Sequence, residues 1–247
     1  MKTLILVLCL GSLVWGKPAN AQQFAGDNQW VAPYGVSTFV ATVGEEYSQL
    51  YAVSALVPEW EFNLQFTRFE DDPVNGIDAY TSTNIYAKRR LYENEAGNAG
   101  YAVLGGTGLF PEHLERGETT DALESWWLTG VATYAFADGR LLWDILPGVT
   151  LNTEYGDQEE TAWGFTYTSR VAIYDIVPQS AVVAEVFGTA GEAKADPAYR
   201  FGVRWESKKW IVAATYSDAF DGDGGAGFEL GIVYLTEPRM CWGGCGR

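Results

Sequence analysis

The stretch 198–235, AYRFGVRW-ESKK-WIVAATYS-DAFDGDGGAG-FELGIVYL, holds three alternating segments, one tight turn and one long acidic Gly/Asp loop. In the first segment Tyr199, Phe201, Val203 and Trp205 share one face, and Arg200, Gly202, Arg204 and Glu206 share the other. The second segment groups Trp210, Val212, Ala214 and Tyr216; the third groups Phe228, Leu230, Ile232 and Tyr234. A side-chain period of two is the signature of a strand. The apolar faces begin and end in aromatics, and the opposite faces carry charge and glycine. A soluble sandwich buries its apolar face and wets the polar one. A membrane barrel reverses this, with an aromatic-girdled apolar exterior and a polar interior. Paired arginines within an apolar-edged strand favour the membrane barrel; a secreted β-sandwich is the alternative fold.

Working outward, the same pattern recurs along the chain. Strands are expected at 34–43, 48–57, 59–69, 80–91, 100–110, 125–137, 140–155, 161–177, 179–189, 198–206, 209–217 and 227–235. Many exceed ordinary globular strands in length and match the roughly 9–11 residues of a tilted transmembrane strand. Pro147-Gly148 inside 140–155 suggests a bulge or a break. The connections at 57–59, 137–139, 177–179 and 206–208 are tight, and 93–99 is a somewhat longer Gly/Asn turn. Those between them are mostly longer, at 44–47, 70–79, 111–124, 156–160, 190–197 and 218–226. Short turns at one end and longer loops at the other is the arrangement of outer-membrane barrels. An even strand number returns both termini to the turn side. The fold class expected is therefore all-β: a transmembrane antiparallel up-and-down β-barrel of twelve strands.

Charge follows the same division. The long loops carry Glu45, Glu46, Glu70, Asp71, Asp72, Asp78, Glu112, Glu115, Glu118, Asp121, Glu124, Asp157, Glu159, Glu160, Glu192, Asp196, Asp218, Asp221 and Asp223. Only Arg116 and Lys194 oppose them there. Basic residues gather near the turns instead, at Lys88, Arg89, Arg90, Arg140, Lys208 and Lys209. The formal charge of −16 argues against a nucleic-acid partner, which needs a basic patch. Aromatics at 15% of the chain suit interfacial belts.

The start, MKTLILVLCLGSLVWGKPANA, reads as a secretory signal over 1–21. Lys2 supplies the basic region, 4–15 the apolar run and Ala19-Asn20-Ala21 the cleavage site. The barrel domain is expected over 22–235, opening with a short polar lead-in at 22–33, and a periplasmic tail over 236–247.

The run Glu229-Leu230-Gly231-Ile232-Val233-Tyr234-Leu235 resembles the closing-strand signal of Gram-negative outer-membrane β-barrels, porin-like in type. The resemblance implies an outer-membrane location and insertion by the barrel-assembly machinery through this strand. The chain departs from the family pattern by continuing to Arg247 past the terminal aromatic.

By parity the lumen face carries Glu61, Lys88, Glu154, Arg170, Glu185, Arg200, Arg204, Glu206 and Glu229, with Asn63, Gln65 and Asn84. Both signs are present, so ion pairing across a narrow interior is expected. Twelve strands fall between the filled eight-stranded barrels and the open sixteen-stranded porins. The leading functional expectation is a narrow, low-specificity channel for small solutes with an acidic mouth. A non-conducting barrel that binds divalent ions or lipopolysaccharide is the second. The third is an outer-membrane lipid hydrolase, for which the single histidine, His113, is the one candidate base. It stands in a loop, Pro-Glu-His-Leu-Glu, and reads as a solvated residue.

No cofactor is expected. Asp218, Asp221 and Asp223 are the candidate cation ligands, set against a plain flexible hairpin loop. Cys241 and Cys245 in CWGGC suit a small disulfide loop in an oxidising periplasm. The partners expected are outer-membrane lipid and lipopolysaccharide, the assembly machinery and small solutes.

Expression of the full chain in a Gram-negative host should place it in the outer-membrane fraction, with heat-modifiable gel migration and a mature N-terminus at Gln22. Recovery as a soluble periplasmic protein would favour the sandwich.

Overall fold

The computed structural model describes residues 27–71, 78–108, 122–155, 160–221 and 225–239. The leader, His113, Asp223, Cys241 and Cys245 lie outside the described residues. Twelve strands are present among them. They are β1 Ser37–Gly44, β2 Tyr47–Val57, β3 Trp60–Phe69, β4 Tyr80–Glu93, β5 Ala99–Thr107 and β6 Ser125–Phe136, then β7 Leu141–Tyr155, β8 Glu160–Tyr174, β9 Ser180–Gly191, β10 Ala195–Glu206, β11 Trp210–Ala219 and β12 Gly227–Leu235. Each pairs antiparallel with its sequence neighbours, and β12 pairs with β1 to close the sheet. The seam runs from Thr38↔Leu235 to Gly44↔Glu229. This is the up-and-down barrel expected from the alternation, and the strand ends shift by only a few residues.

The turns explain why the hairpins are tight. Glu59 has φ 68 and lies between β2 and β3; Ala137 and Asp138 (φ 51 and 56) form a single 3-10 turn between β6 and β7. Left-handed residues of this kind match the twist of a short hairpin connection. The turns after β2, β4, β6, β8 and β10 share one end with both termini, called here the turn side. The opposite end, called here the loop side, holds the three longest connections, 70–79, 108–124 and 220–226. The connections there at 45–46, 156–159 and 192–194 are no longer than the turns, and the loop expected at 190–197 shortens because β9 and β10 extend into it.

Pro147 neither breaks nor bulges its strand. The β7–β8 register runs unbroken through Pro147↔Tyr167. On the β6 side, Thr129↔Gly148 and Ala132↔Ile145 keep one register, with no ladder pair between them. A proline has no N–H to donate, so the ladder lapses there without a shift of register. True irregularities fall elsewhere, between Ser54 and Val57, Arg90 and Tyr92, Asn152 and Tyr155, and Ala195 and Ala198.

Alternation sorts the side chains as expected on the outside. Phe201, Val203, Trp205, Val212, Leu230 and Ile232 are each about half exposed, the highest being Val203 at 55%. Trp60, Tyr92, Tyr101, Trp143, Trp205, Trp210 and Tyr234 ring the turn side. Trp126, Trp163, Tyr216 and Phe228 stand toward the loop side. Six to eight residues separate the two belts, which at about 3.3 Å per residue and a tilt of about 40° gives about 15–20 Å of apolar wall. A closed sheet with this exterior satisfies its backbone internally and meets hydrocarbon with side chains alone, the architecture of an outer-membrane β-barrel.

The lipid-facing position Leu230, near the middle of that wall, sets a test. Leu230→Arg should lower folding stability in lipid vesicles by about 2–4 kcal/mol, and Leu230→Ala by less. Denaturant titration followed by tryptophan emission measures both.

Candidate functional site: the barrel interior

Of the charged residues that parity assigns inward, Glu61, Lys88, Arg170, Glu185, Arg200, Arg204 and Glu229 are buried, and Glu206 is half-buried at the turn side. Glu154 departs from the group. It lies exposed at the loop-side rim, beyond the last buried inward residue of β7, Asn152, where the register with β8 is irregular. Its backbone N–H donates to Asn152 Oδ1 at 2.9 Å.

The register arranges these charges in an order that the sequence leaves open. Gly100, Thr133, Asp144, Arg170, Glu185, Arg200, Ser217 and Gly227 are successive cross-strand partners from β5 to β12. Gly100 is near the turn-side start of β5, and Gly227 is at the loop-side start of β12. The tilt of the strands therefore turns one row of neighbours into a ramp up the inner wall. Its central members alternate in sign: Asp144, Arg170, Glu185, Arg200. Arg170 Nη2 lies 2.8 Å from Asp144 Oδ2, and Arg200 Nη1 lies 3.4 Å from Glu185 Oε1.

Near the loop side the ramp meets Glu229. Arg200 Nε is 3.2 Å from Glu229 Oε2. The Tyr47 hydroxyl donates to the same carboxylate, as does Thr215 Oγ1 at 3.2 Å. Tyr47 packs with Phe69, Tyr80 and Ala226, forming an aromatic layer under the loops. At the turn side Arg204 Nε pairs with Glu206 Oε1 at 2.5 Å.

Between these zones the interior is less polar than expected. Val40, Tyr51, Val53, Tyr86, Leu104, Trp127, Val131, Leu146, Ile211 and Val233 belong to one buried cluster. Tyr86 and Trp127 ring centroids are 5.1 Å apart. The Tyr51 hydroxyl bonds that of Tyr86 and donates to Asn63 Oδ1 at 2.7 Å. A barrel of this size leaves space that wall charges alone do not fill, and inward aromatics occupy it.

The turn-side lumen holds a third group. Residues 27–32, expected only as a polar lead-in, lie inside the wall, with Asp27, Asn28 and Gln29 buried. Lys88 Nζ is 2.8 Å from Asp27 Oδ2 and 3.5 Å from Glu61 Oε2, and donates to the Trp30 carbonyl at 2.6 Å. Glu61 Oε1 accepts the Ala32 N–H at 2.5 Å. The Gln29 N–H donates to Thr133 Oγ1 at 2.8 Å, and that hydroxyl donates to Asp144 Oδ1 at 2.6 Å. The segment thus joins the foot of the ramp.

Among the described residues no three acidic, histidine or cysteine side chains are grouped to hold a metal ion. Asp218 instead accepts the Tyr216 hydroxyl at 3.1 Å and its neighbour's N–H. Outside the spanning strands, Lys209 hydrogen-bonds Glu237 at 2.8 Å and holds that carboxyl below its ordinary range.

No protein-family model matches the chain, and no curated protein is similar to it in sequence. Solved structures are similar to it in fold. A KdgM porin superimposes with a TM-score of 0.57 at 8% identity, over 81% of this chain and 98% of the porin. An outer membrane channel from Pseudomonas putida F1 gives 0.48 at 12% identity, over 83% and 96%. At such identities the likeness is one of architecture.

Asp144 was not among the residues that parity singled out, and its pair with Arg170 carries a stability prediction. Asp144→Ala leaves a buried guanidinium facing no carboxylate on that side and should cost about 3–5 kcal/mol. The double variant Asp144→Ala/Arg170→Met should recover most of that loss in the same denaturant titration.

Proposed function

We propose that the barrel is a porin-like outer-membrane channel that passes small solutes along a narrow lumen. The ramp from Gly100 to Gly227 carries this reading. A purely structural interior is built as well or better from apolar side chains, because burying ions costs several kcal/mol each. Four alternating charges in the middle of the ramp, with Thr133 and Ser217 flanking them, instead offer a hydrated ion or polar solute a partner to enter and a neighbour to leave to. The fold shared with a KdgM porin supports the same reading. The packed interior makes the path narrow and its resting state closed.

Selectivity follows from the mouth. Glu45, Glu46, Glu70, Asp71, Asp78, Glu192, Asp196, Asp218 and Asp221 stand at the loop side, with Arg68 and Lys194 as opposing charges among the described residues. Lys194 is itself 2.7 Å from Asp196. A low-dielectric rim of one sign focuses the field and enriches cations. The same rim favours a second reading, a non-conducting barrel whose loops bind divalent ions or lipopolysaccharide. In either case β12, the seam strand, is the element through which the assembly machinery would recognise the chain.

Planar-bilayer recordings on the purified barrel separate the two. A salt gradient should give discrete conductance with a reversal potential on the cation side, and that preference should shrink as ionic strength rises. No conductance, together with magnesium-dependent thermal stability, would replace the channel with the second reading.

A further inference from the structure

Residues 27–32 do more than enter the lumen; they cross it. Asp27 and Trp30 meet Lys88 on β4, Gln29 meets Thr133 on β6, and Ala32 meets Glu61 on β3. The Trp30 indole packs against Leu142, Ala172, Ala181 and Val183, on β7, β8 and β9. Trp30 Nε1 also reaches Glu93 Oε1 at 3.1 Å. The contacts therefore come from β3, β4 and β6 and from the apolar cluster on β7 to β9, facing parts of the wall. On β5, a Cβ added to Gly100 would stand 2.3 Å from Gln29 Oε1, so the wall has no side chain where Gln29 lies.

The chemistry of the contacts is that of peptide recognition. An ammonium takes a carboxylate and a carbonyl, a carboxylate and a hydroxyl each take a backbone N–H, and an apolar wall takes an indole. The wall groups keep partners without the segment, since Lys88 retains Glu61 and Asp144 retains Arg170. A surface whose charges are paired with or without its occupant is one the occupant can leave.

We propose that residues 27–32 are a tethered plug seated in a peptide-accepting site of the turn-side lumen. The barrel opens when they leave, and the vacated site takes a short peptide-like solute bearing a carboxylate. The gating part rests on the channel reading above; the site itself does not.

The test compares the full chain with a variant lacking residues 27–32, both checked for heat-modifiable migration. The variant should conduct more, or open more often, than the full chain. The synthetic hexapeptide Asp-Asn-Gln-Trp-Val-Ala, added from the turn side, should block it. The peptide with Asn in place of Asp should block about tenfold more weakly or worse, because a charge-assisted bond to a buried ammonium is lost. A scrambled peptide should not block. The double variant Lys88→Met/Glu61→Gln, made in the deleted barrel, should lose the preference between the two peptides. Thermal unfolding in detergent reads the site separately, with the native hexapeptide raising the Tm of the deleted barrel. Equal conductance of full and deleted chains would overturn the plug. Block or thermal protection indifferent to peptide sequence would overturn the site. If neither form conducts while the native peptide still raises Tm, the channel reading and the gate fall and the peptide site stands.

Discussion

Closure of the sheet between β1 and β12 is the constraint on which the rest depends. In hydrocarbon an unpaired backbone N–H or C=O costs several kcal/mol, and an open edge would present a row of them. The seam from Thr38↔Leu235 to Gly44↔Glu229 removes that edge. It continues past the strands, where the Thr236 N–H donates to the Ser37 carbonyl and the Arg239 N–H to Gly35. Once the ring is closed, alternation assigns every second side chain to lipid and the others to a confined interior. The aromatic belts, the buried ions and the position of the termini all follow from that one topological fact.

Confinement then decides what the interior holds. Seven buried charged side chains predicted from parity lie within it, and the shear of the barrel places three of them, together with Asp144, in one row of alternating sign from β7 to β10. Had the strands run parallel to the axis, the same residues would have formed a flat ring. The row becomes a ramp because cross-strand neighbours in a tilted sheet differ in height. The aromatic middle, with Tyr51, Tyr86 and Trp127, narrows the bore that twelve strands would otherwise leave. The interior is thus polar where charges can pair across strands and apolar where large side chains meet.

Much of this was legible in the sequence, and the exceptions share a cause. Period-two segments and connections of alternating length locate the strands, since both reflect repeated local geometry. Parity finds Glu61, Lys88, Arg170, Glu185, Arg200, Arg204 and Glu229 for the same reason. Glu154 fails because parity carries no information past an irregular register. Trp126 and Trp127 are adjacent and both aromatic, so nothing in the pattern says which faces lipid. Asp144 stands three residues before Pro147, where a break was the natural reading. Residues 27–32 have no periodicity of their own. Their position is fixed by contacts to strands thirty to one hundred and fifty residues away, which local sequence does not encode.

The short connection between that segment and β1 has a quantitative consequence. Residues 33–36 are all that separate Ala32 from Ser37, and they are tied to β2 by the Gly35 N–H on Ala55 and the Ala55 N–H on Val36. A ligand held on so short a lead is present at its site at an effective concentration on the order of millimolar, whatever the protein's dilution. Modest contacts therefore suffice to keep it seated. A freely diffusing solute displaces it only by reaching comparable concentration or by binding more tightly than Asp27 and Trp30 together. The tether makes the resting lumen a threshold element, indifferent to trace solutes and responsive to abundant ones.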